Sequence, residues 1–218
     1  MNSENNGLSK KRQYQKPSVW RFALSRIWRR ARLVFDLKLV SEVTDREIVV
    51  LTERFNCDRR GLHLLLDRVV NRSLMVEVGS LAGFSTRVFA TYFDEVVSVD
   101  PYQAGYDASD INSNASRLSI AESLFQIRFL DDPRVRQIKE PSDRAALKFE
   151  AGSLDFVYID AAHDAASVRR DIEAWRPKVR PGAFMGGDDY DWPDLRQVVA
   201  ETFPKHDVID NRWLAQIN

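Results

Sequence analysis

A single cysteine, Cys57, in 218 residues rules out an intrachain disulfide, so the fold must be held by its core. No apolar run approaches eighteen residues, so no transmembrane helix is expected. Residues 1–17 are polar with no apolar stretch behind them, so no secretory signal is expected either. Together these absences fit a reducing, cytoplasmic setting. Charge of one sign is also lacking, since 32 Lys and Arg balance 32 Asp and Glu. The balance is uneven, however. Residues 1–35 carry nine basic residues against one acid, Glu4, which makes the head +8 and the remainder −8.

What is present is ordinary for a globular protein: 44% hydrophobic and 29% charged residues, in a chain long enough for one domain with a sizeable core. Residues 1–17 read as disordered. Residues 18–38 read as a basic amphipathic helix, with Trp20, Leu24, Ile27 and Trp28 recurring among arginines. Such a helix suits an anionic surface or a cleft lid; the plainer alternative is packing on the domain or across a dimer interface. Thr44–Glu47 has the capping-box pattern. A helix is expected near 62–70, and strands and helices then alternate. Strands are expected at 74–79, 95–100, 134–139, 154–160 and 183–189. Helices are expected at 84–93, 113–129, 142–149, 165–176 and 193–203, with two last antiparallel strands in the tail. This order predicts an α/β fold: a Rossmann-like, doubly wound, mostly parallel seven-stranded sheet with helices on both faces and an N-terminal helical extension. Ligands of such sheets bind beyond the carboxyl ends of the strands.

Two groups of unusual residues fall there. In EVGSLAGFST (77–86), Gly79 and Gly83 bracket a turn that opens a helix, and Asp100 ends the next strand. Glycines allow sharp turns and close approach of a ligand, and a carboxylate at that distance suits ribose hydroxyls. The spacing is G-x-x-x-G, not that of a dinucleotide fingerprint, and no Gly-Lys-Ser/Thr follows. In the second group, VYIDAAHD (157–164) ends in acids around His163, and GDDYDWP (187–193) adds Asp188 and Asp189. If the two strands are neighbours, their ends lie about 5 Å apart. Clustered carboxylates repel unless a cation sits among them, and all-oxygen ligands suit Mg²⁺ or another hard divalent ion. Solvated strand-end acids are the plainer alternative. His163 has a reference pKa suited to a general base, with Asp164 a weaker candidate and a structural histidine the alternative.

The run E-V-G-S-L-A-G-F-S, V-S-V-D, D-F-V-Y-I-D-A-A-H-D and P-G-A-F-M-G-G-D-D-Y resembles class I S-adenosylmethionine-dependent methyltransferases over about residues 70–200. Within them it is most similar to the small metal-dependent O-methyltransferases of sugars and catechols. The resemblance implies S-adenosylmethionine as cofactor, with Glu77, Gly79, Ser80, Gly83 and Ser85 along its methionine portion and Asp100 on its ribose. It places Ser142 and Asp143 at the adenine, although Glu140 and Pro141 stand where relatives have a glycine nearby. It implies a Mg²⁺ site of Asp160, Asp188 and Asp189, with His163 as base because Ala162 replaces the acid used by some relatives. It divides the chain into a basic segment, 1–40, and a methyltransferase domain, 41–218.

The expected activity is methyl transfer to a hydroxyl of a small molecule, with a saccharide or glycosylated product ahead of a catechol. Tyr102, Tyr106, Tyr190 and Trp192 are expected to flank the acceptor. A metal-free methyltransferase and a non-catalytic nucleoside-binding protein are the competing readings. A homo-oligomer, most simply a dimer, is expected, with contact to an anionic surface through residues 18–38. Nucleic acid is not an expected partner, since the aromatic N-P-P-Y loop of base methylation is absent.

Overall fold

The computed structural model describes residues 59–106 and 113–218. The polar tail, the helix expected over 18–38, the capping pattern at 44–47 and the boundary near residue 40 lie outside the described residues.

Helix α1 (Arg59–Leu66) leads into strand β1 (Leu74–Val78), α2 (Phe84–Phe89), β2 (Glu95–Val99), α3 (Ala115–Arg128) and β3 (Val135–Ile138). Then follow α4 (Ser142–Ala146), β4 (Leu154–Ile159), α5 (Ala165–Trp175), β5 (Val179–Gly187), α6 (Pro193–Thr202), β6 (Asp207–Ile209) and β7 (Arg212–Gln216). The seven strands form one sheet in the order β3-β2-β1-β4-β5-β7-β6. β1 to β5 are parallel, and β7 runs antiparallel to both β5 and β6. The expected fold class is therefore observed, and winding reverses between β1 and β4, which opens a crevice above their carboxyl ends.

The central strands are apolar on both sides because both sides are covered. Along β1, Met75 faces a layer built from Leu62, Leu65, Leu66, Phe89 and Phe93. Its neighbour Val76 faces the opposite layer with Val168, Ile172, Trp175, Leu195 and Val198. Alternate residues thus feed two cores across one sheet. β5 begins four residues earlier than expected, running through the exposed Pro181 and Gly182, and its pairing with β4 shifts register between Leu154 and Phe156. A proline and an irregularity of this kind are tolerated at the end of a ladder, where few bonds depend on them.

The amino ends of the strands are tied by one buried acid. Asp155 accepts hydrogen bonds from the backbone N–H of Ser73 (2.8 Å) and Leu74 (3.1 Å) and pairs with Arg180 at 3.0 Å. Its side chain is fully enclosed. Asp155→Ala is expected to lower the unfolding free energy by about 2 kcal/mol, because two part-buried backbone N–H groups lose a charged acceptor and Arg180 its partner. Urea denaturation of the two proteins checks this; a difference below about 1 kcal/mol contradicts it.

Candidate active site

The register of the sheet assembles the site. Glu77 of β1 pairs with Ser98 of β2 and Tyr158 of β4, and Tyr158 pairs with Gly186 of β5. Gly186 in turn opposes Leu214 of β7. Two positions further towards the carboxyl ends of the parallel strands, the same register sets Asp100, Gly79, Asp160, Asp188 and Arg212 side by side across five strands. The backbone bonds Asp160 N–H to Val78 O (2.8 Å) and Asp188 N–H to Ile159 O (3.1 Å) carry the ladder into that row. Neighbouring strands lie about 4.8 Å apart, so charges in this row are strongly coupled.

On the β1 side, Glu77 is wholly buried and accepts hydrogen bonds from the hydroxyls of Ser85 and Thr86 in the first turn of α2. Burial is the largest cause that raises its pKa to about 7; the two hydroxyls oppose the rise. Asp100 binds two loops together. Its Oδ2 accepts from the N–H of Ser80 (3.1 Å) and Leu81 (2.9 Å), and its Oδ1 from the N–H of Tyr102 (2.8 Å). Burial raises its pKa against those three bonds. The Tyr102 hydroxyl donates to Leu81 O at 2.7 Å. Glu77, Ser80, Ser85 and Asp100 are thus brought together, with Thr86 and Tyr102 as members the sequence reading did not place among the cofactor residues.

Both glycines take the sharp-turn conformation expected of them. Gly79 has φ +85°, and a Cβ there would run into the Asp160 carbonyl. Gly83 has φ +76°, and its Cβ would lie 2.7 Å from the Phe125 ring. The close approach each permits is that of the protein's own backbone or ring, across the β1–β4 seam and under α3. Of four non-glycine residues with positive φ among the described residues, Leu81, Tyr102 and Asp189 stand in these loops. Backbone held in that region carries strain of order 1–3 kcal/mol, which packing must offset.

At the expected adenine end, Ser142 opens α4, where its Oγ accepts from Trp175 Nε1 at 2.8 Å. Its hydroxyl also bonds Asp171, a buried acid whose pKa rises to about 6 mainly through burial. Asp143 is exposed and accepts from its neighbour's N–H, Arg144, at 2.9 Å. The Ser142 hydroxyl is therefore committed to the α4–α5 joint.

The acids on the β4 and β5 side have protein partners. Asp188 Oδ2 lies 3.3 Å from Arg212 Nη2, and Asp189 Oδ2 lies 2.8 Å from His163 Nε2. Asp188 Oδ1 accepts from the Asp189 N–H at 3.0 Å. Burial, then Asp188 and Asp189, push the Asp160 carboxyl well above the usual range, while Arg212 opposes this. His163 stacks on Trp192 with centroids 4.8 Å apart and planes 18° apart. Asp164 caps α5, accepting from the N–H of Ala166 (3.1 Å) and Ser167 (3.0 Å), which takes it away from the base role. Tyr190 turns to His206, with 2.7 Å between its hydroxyl and Nε2.

The donor set was tested against the expected Mg²⁺. Among the described residues, no three His, Cys, Asp or Glu side chains form a group that could hold a metal ion. The reason is specific: Asp188 is turned to Arg212 and Asp189 to His163, so Asp160, Asp188 and Asp189 do not converge on one point. As arranged, these residues do not fit the ion.

The model of the methyltransferase domain family matches residues 76–190, more than half of the chain. Solved structures share the fold. A candidate caffeoyl-CoA O-methyltransferase from Staphylococcus aureus aligns at 16% identity and TM-score 0.54, over 86% of this chain and 100% of that one. The O-methyltransferase NovP aligns at 18% identity and TM-score 0.52, over 75% and 78%. Spermidine synthase from Thermotoga maritima aligns at 12% identity and TM-score 0.50, over 72% of this chain and 57% of that one, so the chain spans less than two thirds of that enzyme's length. No curated protein matches the chain in sequence.

A prediction follows from Glu77. Its folded-state value of about 7 exceeds the ordinary 4.5. The folded chain therefore holds a proton that the unfolded chain has released. Stability from this group is present below pH 4.5 and is lost as pH rises towards 7, by on the order of 3 kcal/mol. Glu77→Gln should flatten that fall, read as urea midpoints at pH 5 and pH 7.5. Equal falls in both proteins would contradict it.

Proposed function

The chain belongs to the methyltransferase-domain family of class I S-adenosylmethionine-dependent enzymes, and we propose that it moves the cofactor's methyl group to a hydroxyl of a small molecule. The acceptor class we favour is a saccharide or glycosylated product. The observation that carries the reading is the His163–Asp189 pair, set beside a row of acids at the switch point of the sheet.

The cofactor is a cation, with a sulfonium and an ammonium group against one carboxylate. Asp100, whose three N–H donors favour its charged form, gives the crevice the opposite sign, and a bound sulfonium would draw Glu77 and Asp160 towards theirs, which favours its capture. Transfer is an in-line displacement: the acceptor oxygen bonds the methyl carbon as the carbon–sulfur bond breaks, and the sulfonium leaves as a neutral thioether. Its rate depends chiefly on alignment. The hydroxyl proton goes to the His163–Asp189 pair, where the 2.8 Å hydrogen bond between Nε2 and Oδ2 holds the added charge. Trp192 keeps the imidazole in plane, and its ring is 42% exposed, a surface on which the apolar face of a sugar stacks. Asp189 thereby takes the part of an orienting carboxylate, where the sequence reading made it a metal ligand.

Calorimetric titration with S-adenosylmethionine followed by a screen of sugar and catechol acceptors tests the reading. On the acceptor found, His163→Ala and Asp189→Asn should each lower turnover by about 10²–10⁴-fold. The double variant should fall little further, because the pair acts as a unit. Cofactor affinity should change less than about threefold in each. Full turnover in His163→Ala would overturn the base assignment.

A further inference from the structure

Arg212 is a cation that the acid cluster already contains. It opens β7, and extending the antiparallel register of β5 and β7 by one residue places it opposite Asp188. Opposite charges directly across two strands attract, and here both lie at the floor of the crevice. The Arg212 side chain is 9% exposed and that of Asp188 is 23% exposed. Burying a guanidinium this far is costly without an anion, so its place is set by the acids around it. Helix α1 makes room for it. Gly61 faces both the Asp210 carboxylate and the guanidinium: a Cβ there would run into Asp210 Oδ2 and lie 2.6 Å from Arg212 Nη1. Tyr158, two residues before Asp160 and wholly buried, lies within the fields of Asp188, Asp160 and Arg212 together.

We propose that Arg212 is the resident counter-cation of the acid row, supplying the positive charge that a divalent ion would otherwise bring and holding Asp188 out of any coordination set. Methyl transfer in this chain then needs no divalent metal, an inference that rests on the methyltransferase reading above. Arg212 acts as a positioning residue: it fixes Asp188, whose Oδ1 accepts the Asp189 N–H, and so fixes the carboxylate that orients His163.

The test is a Mn²⁺ titration of the full chain, saturated with S-adenosylhomocysteine and followed by electron paramagnetic resonance. The wild-type protein should leave Mn²⁺ free, with any affinity weaker than about 1 mM. Arg212→Met, which keeps length and removes charge, should bind Mn²⁺ at least about tenfold more tightly, and adding Asp188→Asn should abolish the gain. Arg212→Lys should behave as wild type. If Arg212→Met does not fold, Arg212→Gln, which keeps a polar side chain and removes the charge, should raise Mn²⁺ affinity in the same direction. One Mn²⁺ bound by the wild type at about 100 µM or tighter, and lost in Asp188→Asn, would overturn the proposal. So would an unchanged affinity in both Arg212→Met and Arg212→Gln. Binding of S-adenosylhomocysteine is measured on the same samples, and its absence would count against the methyltransferase reading instead.

Discussion

Five adjacent strands of this protein end in one row that reads Asp100, Gly79, Asp160, Asp188 and Arg212, and most of what surrounds the crevice answers to the charge in it. Carboxylates at strand spacing cannot all ionise in a dry environment without cationic or hydrogen-bonding partners. The chain meets each with a different device. Asp100 takes three backbone N–H groups from the loops beside it, Asp188 takes Arg212, and Glu77 behind the row takes two hydroxyls. Asp160 is left to be driven towards its neutral form by burial and by its neighbours. A row so arranged holds protonated acids that a cation would draw into their charged form, which is the complement of a sulfonium nucleoside. The same attraction weakens for the neutral thioether product, so the site favours loading over product retention.

The backbone is shaped to the same end. Gly79 is required because the carbonyl of Asp160 passes where a side chain would begin, and Gly83 because the rings of α3 close over the start of α2. Leu81, Tyr102 and Asp189 adopt positive φ without that freedom. Their strain is offset by the hydrogen bonds of Asp100 and by the β5–β7 pairing beneath. Rigidity of this kind suits a reaction whose rate depends on aligning three atoms.

Most of the fold was legible in the chain, because long apolar runs alternating with helical periods admit few arrangements other than a doubly wound sheet. The turn after β1 and its tie to Asp100 were legible for a related reason: a strand, two spaced glycines and a later strand-end acid are local in sequence. The partners of the acids were not local. Arg212 lies more than fifty residues beyond Asp160, in a tail whose two antiparallel strands were expected but whose register was not. Only that register sets it opposite Asp188. Without it, three acids call for a cation and a divalent ion is the natural candidate. The partners of Ser142 were hidden for a similar reason, since its hydroxyl bonds Trp175 and Asp171 from a helix that the loop itself does not announce. Asp164 was a candidate base until its place at the start of α5 made it a cap.

The most direct test of the account is a pair of calorimetric titrations of the full chain, with S-adenosylmethionine and with S-adenosylhomocysteine, repeated in Asp160→Asn. The account predicts binding of both to the wild type, with the sulfonium form favoured, and a preference that shrinks in Asp160→Asn, where the sulfonium can no longer draw that side chain into a charged form. Absence of binding by either nucleoside, or a preference untouched by the substitution, would contradict it.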